Sequence, residues 1–343
     1  MNYKSIFFGL VCSFLLTYIL VPLNKKLAIH WNIVDHPHDR GIHDKTVPLA
    51  GGLSFGIAII LGLLIYFYFH TQNTQILYLA IADFFVLILG LFDDKLKIKA
   101  KTKLIFQIII ISFIYFKGLR MDVLTNPLGD PISLGFLSYP LTLAWFLLVM
   151  NGLNLIDGLD GLAAGICLIV ATVLAMIGFQ FGNYQLTFMA TLIIGSMLAF
   201  LKYNFYPAEI FMGDTGSLFL GFNIAAISIA GNAQYKGITA MTILIPIIAL
   251  FIPLFDTAFA IFRRIKKRKN IFQADKEHLH HRLLELGLGQ TAIAIIGYFI
   301  TFLFGLVAFG FSLASKEYLF ILLVFMIIIL FGFFLILFKR GEK

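Results

Sequence analysis

Charge is scarce in this chain of 343 residues: only 13% are Asp, Glu, Lys or Arg, against 60% hydrophobic residues and a mean hydropathy of +0.94. That balance excludes a soluble core, and the repeated apolar runs of about 20 residues match the length needed to cross ~30 Å of hydrocarbon. Cysteine is nearly absent. Cys12 and Cys167 both fall inside apolar runs, where they read as small packed hydrophobes, so no disulfide framework or cysteine metal site follows. Alternating strand patterns are missing as well, and lipid demands that every backbone N–H be paired within its own segment, so helices are expected instead of a barrel. No long soluble domain, low-complexity tract or internal repeat is present.

The class that remains is an all-α, polytopic integral membrane protein forming a single transmembrane domain over residues 1–343. Apolar runs predict spans near residues 5–24, 51–69, 76–92, 104–117, 137–151, 161–181, 185–202, 216–231, 237–262, 291–312 and 317–338, eleven in all. An odd number puts the termini on opposite faces. With the N-terminus outside, the inner segments hold 21 of the 26 Lys and Arg, and only Lys4, Lys117, Arg120, Lys236 and Lys316 fall outside, as the positive-inside rule requires. One missed helix would invert every later loop and destroy that split. The first run reads as a retained span and not a cleaved signal, because it is long and passes Pro22 into a basic loop without a small-x-small site. The outer segment 118–138, with Asn126-Pro127 and Gly129-Asp130-Pro131, reads as a turn-containing loop or hairpin.

The net charge of +8 does not indicate nucleic acid, because the cations follow the inner membrane face, where they set topology and attract anionic headgroups. What polar chemistry exists is confined to five segments assigned to that face: 35–52, 93–103, 151–160, 203–217 and 263–290. Asp93 and Asp94 directly follow the apolar run ILGLF, so two adjacent negative charges stand at a helix C-terminus, where the dipole also opposes them. A cation must compensate, either one of Lys95, Lys97, Lys99, Lys101 and Lys103 or a divalent metal.

The segment N-G-L-N-L-I-D-G-L-D-G-L places Asn151, Asn154, Asp157 and Asp160 among glycines, in what reads as a loop at the membrane face. Asn and Asp oxygens suit Mg²⁺, and glycine permits close approach of backbone to ligand. One acid here could cap the helix beginning near Gly161, but a single cap does not account for four polar groups. In F-M-G-D-T-G-S, Asp214 precedes a helix expected from about Gly216; an N-cap and a metal carboxylate beside a phosphate-binding helix start both fit that spacing. His278, His280, His281 and Arg282 follow the basic run from Arg263, and without a cysteine partner they suit a pyrophosphate better than zinc. Asp256 lies inside a predicted span and reads equally as a site residue or a structural ion pair.

Taken in order, D-x-P-x-x-R-x-x-H (Asp35, Pro37, Arg40, His43), P-x-x-G-G (Pro48, Gly51, Gly52), Asp93-Asp94, N-x-x-N-x-x-D-G-x-D-G, N-x-x-P-A-x-x-F-M-G-D and H-x-H-H resemble the polyprenyl-phosphate N-acetylhexosamine-1-phosphate transferases. That superfamily also contains the phospho-MurNAc-pentapeptide transferases. The D-G-x-x-D-G stretch alone also resembles the alcohol phosphotransferases that use CDP-substrates, but their Ala-Arg and further spaced aspartates are missing here.

The resemblance implies transfer of a sugar-1-phosphate from a UDP-N-acetylhexosamine to undecaprenyl phosphate, with release of UMP, at the bacterial cytoplasmic membrane. It implies ten or eleven helices. It implies that Asn154 and Asp214 coordinate Mg²⁺, for which Mn²⁺ could substitute. Lys103 would bind the lipid phosphate near Asp93 and Asp94, which would act catalytically with Asp214 and His278. Asn151, Asp157, Asp160, Asn204 and Phe211 would shape the donor pocket, and His280, His281 and Arg282 would contact phosphates.

The first loop, D-H-P-H-D-R-G-I-H, resembles the branch using UDP-GlcNAc, with UDP-MurNAc-pentapeptide as the runner-up. The downstream polymer and a homodimer are left open. A transporter would place polar groups at midplane, and only Asp83 and Asp256 lie well inside predicted spans. A scaffold without catalysis leaves the acid and amide clusters unexplained.

Overall fold

Long apolar runs become long helices. In the computed structural model the chain is described over residues 3–35, 46–124, 132–230, 283–284 and 287–310, and at single positions between 322 and 332. The main helices among the described residues are α1 (Tyr3–His30), α2 (Gly51–Tyr66), α3 (Thr74–Leu96), α4 (Ala100–Phe116), α5 (Ser138–Ile156), α6 (Leu162–Gln180), α7 (Tyr184–Asn204), α8 (Gly213–Ala230) and α9 (Gln290–Gly310). A π-helical turn, Phe67–Thr71, extends α2. Among the described residues, eight helical stretches are long and apolar enough to cross a membrane, and the 17-residue α4 is the shorter remaining one. The chain is therefore a polytopic helical membrane protein. The expected spans 237–262 and most of 317–338 lie outside the described residues.

Local chemistry sets the helix ends. The side chain of Asn73 accepts from Gln75 N at 3.0 Å to start α3, and that of Asn183 accepts from Leu186 N at 3.0 Å to start α7. At the other end of α3, Lys97 takes a left-handed conformation, φ +47°, and its N–H closes on Asp93 O at 2.8 Å. The strands are minimal. Val34–Asp35 (β1) pairs antiparallel with Val47–Pro48 (β2) at the base of the first polar loop, and Val123–Leu124 (β3) pairs with Ile132–Ser133 (β4), giving the hairpin anticipated in 118–138.

At the centre stands α8, buried along nearly its whole length and packed on α2, α3 and α5. Glycines allow that approach: a Cβ on Gly52 would strike the backbone of Gly216 and Thr215, and one on Gly90 would strike the backbone of Thr215 and Asp214. Small residues at such crossings are how membrane helices come close without a hydrophobic driving force. Around this centre, α7 joins α1 to α6, and α9 covers α6. Outward faces stay apolar, as with Phe7 and Ile19 on α1, Phe84 and Phe92 on α3, and Phe299 and Phe302 on α9.

Several helices run past their expected ends, α1 to His30 instead of 24 among them, and two boundaries at the site need correction. Residues 151–156 belong to α5 and are not loop, and α8 begins at Gly213 instead of near Gly216. The polar residues do not end α5 because their needs are met across helices: Asn151 exchanges hydrogen bonds with Gln107 of α4 at 3.3 and 3.4 Å, and Asn154 donates to Asp214 and Ser217 of α8.

Candidate active site

The site is built where the C-terminal ends of α3 and α5 meet the N-terminal ends of α4 and α8. Lys103, one turn into α4, places Nζ 2.7 Å from Asp93 Oδ2, 2.5 Å from Asp214 Oδ2 and 3.4 Å from Asn154 Oδ1. The cation demanded by the Asp93-Asp94 pair is thus Lys103, the last of the five candidate lysines. Asn154 Nδ2 donates to Asp214 Oδ1 at 2.6 Å and to Ser217 Oγ at 2.9 Å. Asp93 and Lys103 have side-chain exposures of 8% and 13%, whereas Asp214 is 33% exposed, so Asp214 is the acid that presents itself to an arriving group.

The adjacent acids do different things. Asp94 turns onto the start of α8, accepting from Asp214 N at 2.7 Å and from Thr215 N at 3.0 Å, with Thr215 Oγ1 donating as well. It is an N-cap supplied by a neighbouring helix. Two of the orphan N–H groups of α8 are satisfied and a negative charge meets the positive end of its dipole. Gly213 makes this possible: its φ is +68°, and a Cβ there would meet Asp94 Oδ2 and Leu49 O at 2.5 Å. The opening turn of α2 is tied to the same place, since Gly51 N donates to Phe211 O at 2.9 Å and Gly52 N to Met212 O at 3.0 Å, while Phe211 N donates to Pro48 O at 2.8 Å.

Beyond α5 the turn carrying Asp157 and Asp160 is stitched to the α7–α8 connection. Asp160 Oδ2 accepts from Ala208 N at 2.8 Å; Asn204 Oδ1 accepts from Gly161 N at 3.2 Å and its Nδ2 donates to Ile210 O at 2.9 Å. Asp157 stands inside this turn. Burial, and then the negative charges of Asp214, Asp94 and Asp160, push its carboxyl well above the usual carboxylate range. The structure therefore brings Asp93, Asp94, Lys103, Asn154 and Asp214 into one cluster, with Asp157 close enough to feel two of its acids. Asn151 sits one turn back, paired to Gln107, while Asn204 and the main chain of Phe211 act as braces. His278, His280, His281, Arg282, Asp256, Pro37, Arg40 and His43 lie outside the described residues.

Sequence reading missed three participants. Gln107, fully buried, is a lone amide in an apolar run, four residues after Lys103, and that spacing was the available signal. Ser217 ends the F-M-G-D-T-G-S segment, in which Asp214 alone was a site candidate. Tyr298 gave no signal, yet its hydroxyl donates to Gly161 O at 2.6 Å.

As a cradle for a hard cation the donor set is suitable: carboxylate and amide oxygens of Asp214, Asp93 and Asn154 face one point. Among the described residues no group of three His, Cys, Asp or Glu closes around a metal.

The sequence of residues 76–232 matches the family model described as glycosyl transferase family 4. The chain is 41% identical over 325 residues to the probable undecaprenyl-phosphate N-acetylglucosaminyl 1-phosphate transferase of Bacillus subtilis, covering 93% of this chain and 89% of that protein. It is 32% identical over 330 residues to the decaprenyl-phosphate N-acetylglucosaminephosphotransferase of Mycobacterium tuberculosis, covering 86% and 79%. It is 31% identical over 335 residues to the phospho-N-acetylmuramoyl-pentapeptide-transferase of Clostridium novyi, covering 90% and 98%. Helical architecture, ordered motifs and these relatives agree: the chain belongs to the family of polyprenyl-phosphate N-acetylhexosamine-1-phosphate transferases.

Proposed function

We propose that this protein transfers N-acetylglucosamine-1-phosphate from UDP-GlcNAc to undecaprenyl phosphate and releases UMP, as the first membrane step of a cell-envelope glycan. The observation that carries this is Lys103 held between Asp93 and Asp214 beside Asn154, at a point where four helix ends meet. The names of the Bacillus and Mycobacterium relatives support the choice of sugar. The 21 of 26 cations assigned to inner segments support eleven spans, an external N-terminus and a site facing the cytoplasm of a bacterial inner membrane, where a nucleotide sugar and a lipid phosphate can meet.

In this reading two anionic phosphates must approach, and the ammonium of Lys103 reduces their repulsion. Asp93 orients the acceptor phosphate and takes up any proton it still carries. Because a phosphate monoester with second pKa about 6 is largely ionised at neutral pH, Asp93 need not be a strong base. An acceptor oxygen forms a bond to the β-phosphorus, the bond from that phosphorus to the bridging oxygen breaks, and UMP departs with the electron pair. Asn154 and Asp214 would hold Mg²⁺, which when bound neutralises charge on the pyrophosphate. Asp94 keeps Asp214 aimed by capping its helix.

The test is to incubate purified protein with Mg²⁺, undecaprenyl phosphate and, separately, UDP-GlcNAc, UDP-GalNAc or UDP-MurNAc-pentapeptide, and to measure UMP. UMP with UDP-GlcNAc is expected. Release only with the pentapeptide donor would move the protein to the other branch, and no release with any donor would reject the reading.

A further inference from the structure

Gly161 is held from both sides. Its N–H donates to Asn204 Oδ1 at 3.2 Å, and its carbonyl accepts from the hydroxyl of Tyr298 at 2.6 Å. Asn204 belongs to α7 and Tyr298 to α9, so two helices from different parts of the chain close on the two peptide groups flanking one residue at the start of α6. The space for the tyrosine is made by missing side chains. A Cβ on Gly165, one turn further along α6, would run into the ring and hydroxyl of Tyr298, and a Cβ on Gly161 would come within 3.2 Å of that hydroxyl. Gly161 also has φ +74°, a conformation that other residues adopt only with strain, so the carbonyl that Tyr298 holds belongs to a turn with little alternative geometry.

What this turn carries is Asp157 and Asp160. Asp160 is tied to Ala208 N at 2.8 Å, whereas the carboxyl of Asp157 makes no hydrogen bond among the described residues. Its position therefore depends on the backbone that bears it. A carboxyl near Asp214 and Asp94 with no hydrogen bond among the described residues, on a backbone clamped by an otherwise apolar helix, is the arrangement of a group kept in place for a ligand.

The geometry points to Tyr298 as a positioning residue for the donor: through Gly161 it sets the Asp157–Asp160 turn against the nucleotide sugar, without touching the reacting phosphates itself. This rests on the UDP-sugar reading given above. Loss of one hydrogen bond of about 1 kcal/mol, felt only through the turn, corresponds to a change of roughly fivefold in donor binding.

The experiment compares wild type with Tyr298→Phe and Gly165→Ala, both as purified full chains, measuring UMP while donor and acceptor are varied separately, together with thermal unfolding in detergent. The phenylalanine variant keeps the ring and removes the hydroxyl; the alanine variant sets a methyl against the same ring and hydroxyl. In both, KM for UDP-GlcNAc should rise about three- to tenfold while KM for undecaprenyl phosphate stays within twofold. For Tyr298→Phe, kcat and the unfolding temperature should also be nearly unchanged. Unchanged donor KM in the phenylalanine variant, or equal loss of kcat against both substrates with early unfolding, overturns the proposal and leaves Tyr298 as packing. Absence of transfer by the wild type would instead reject the donor reading itself.

Discussion

Asp94 caps the helix that carries Asp214: its carboxylate accepts from Asp214 N at 2.7 Å and from Thr215 N at 3.0 Å, while the neighbouring Asp93 turns to Lys103. Two adjacent acids of the same type thus divide into a helix cap and an ion-pair partner of Lys103. Replacing Asp94 by Ala is expected to lower stability by about 1–2 kcal/mol, the cost of a lost N-cap, and to reduce turnover with it. Asp93→Asn should leave unfolding close to wild type while cutting kcat at least about a hundredfold. Unfolding in detergent, followed beside UMP release, separates the two, and equal stability losses would dissolve the division.

Lys103 stands alone among positive charges in direct contact with Asp93 and Asp214 in the described residues. Lys103→Gln removes the charge and retains donors, and should reduce kcat by about 10²–10³, the range seen when a preorganised electrostatic donor is lost. Arginine at this position should not restore activity, because a planar fork does not fit a point held at 2.7 and 2.5 Å from two carboxylates of different helices. A steady-state comparison of the two variants checks this.

Gly52 and Gly90 test whether close backbone approach builds the site. An added methyl on Gly52 meets the backbone of Gly216 and Thr215, which cannot give way as a flexible side chain would. Gly52→Ala is expected to cost about 1–3 kcal/mol by overpacking. Gly287→Ala, where no atom of the described residues lies within 4 Å of the added methyl but φ is +85°, should show only the smaller backbone cost. Urea or thermal titration of both variants provides the comparison.

Asp157 supplies a pH dependence. Burial and the surrounding charges of Asp214, Asp94 and Asp160 raise its carboxyl in the folded protein, so the folded state holds the proton more tightly than the unfolded chain. Its contribution to stability is therefore fully present below the unfolded value of about 4 and declines as pH rises through the folded value. Asp157→Asn should flatten that decline, making the variant at least as stable as wild type at neutral pH and no more stable near pH 4. Unfolding measured across that interval decides it, and parallel curves for both proteins would contradict the assignment.

The polar residues were legible because the membrane makes them conspicuous: in an apolar chain, Asp93, Asp94, Asn154 and Asp214 stand out at helix ends, where a cap and a site residue look alike. Apolar run length also located the helices well. What the pattern could not convey is which partner each polar group takes. Asp93 and Asp94 differ by about 100° around α3, and only the positions of α4 and α8 turn one toward Lys103 and the other onto a helix start. The same holds for α5, which runs on through Asn151 and Asn154 because Gln107 and Ser217, on other helices, satisfy their amides. Tyr298 was hidden for the opposite reason: an aromatic in an apolar run is ordinary until its hydroxyl is found on Gly161.

The most direct measurement is the stoichiometry of UMP when enzyme in excess meets UDP-GlcNAc and Mg²⁺ with and without undecaprenyl phosphate, for wild type and Asp214→Ala. Direct transfer at the Lys103–Asp214 cluster predicts one UMP per lipid-linked product, none without the acceptor, and none from a folded Asp214→Ala protein. A burst of one UMP per enzyme without acceptor, or undiminished release from Asp214→Ala, would contradict it.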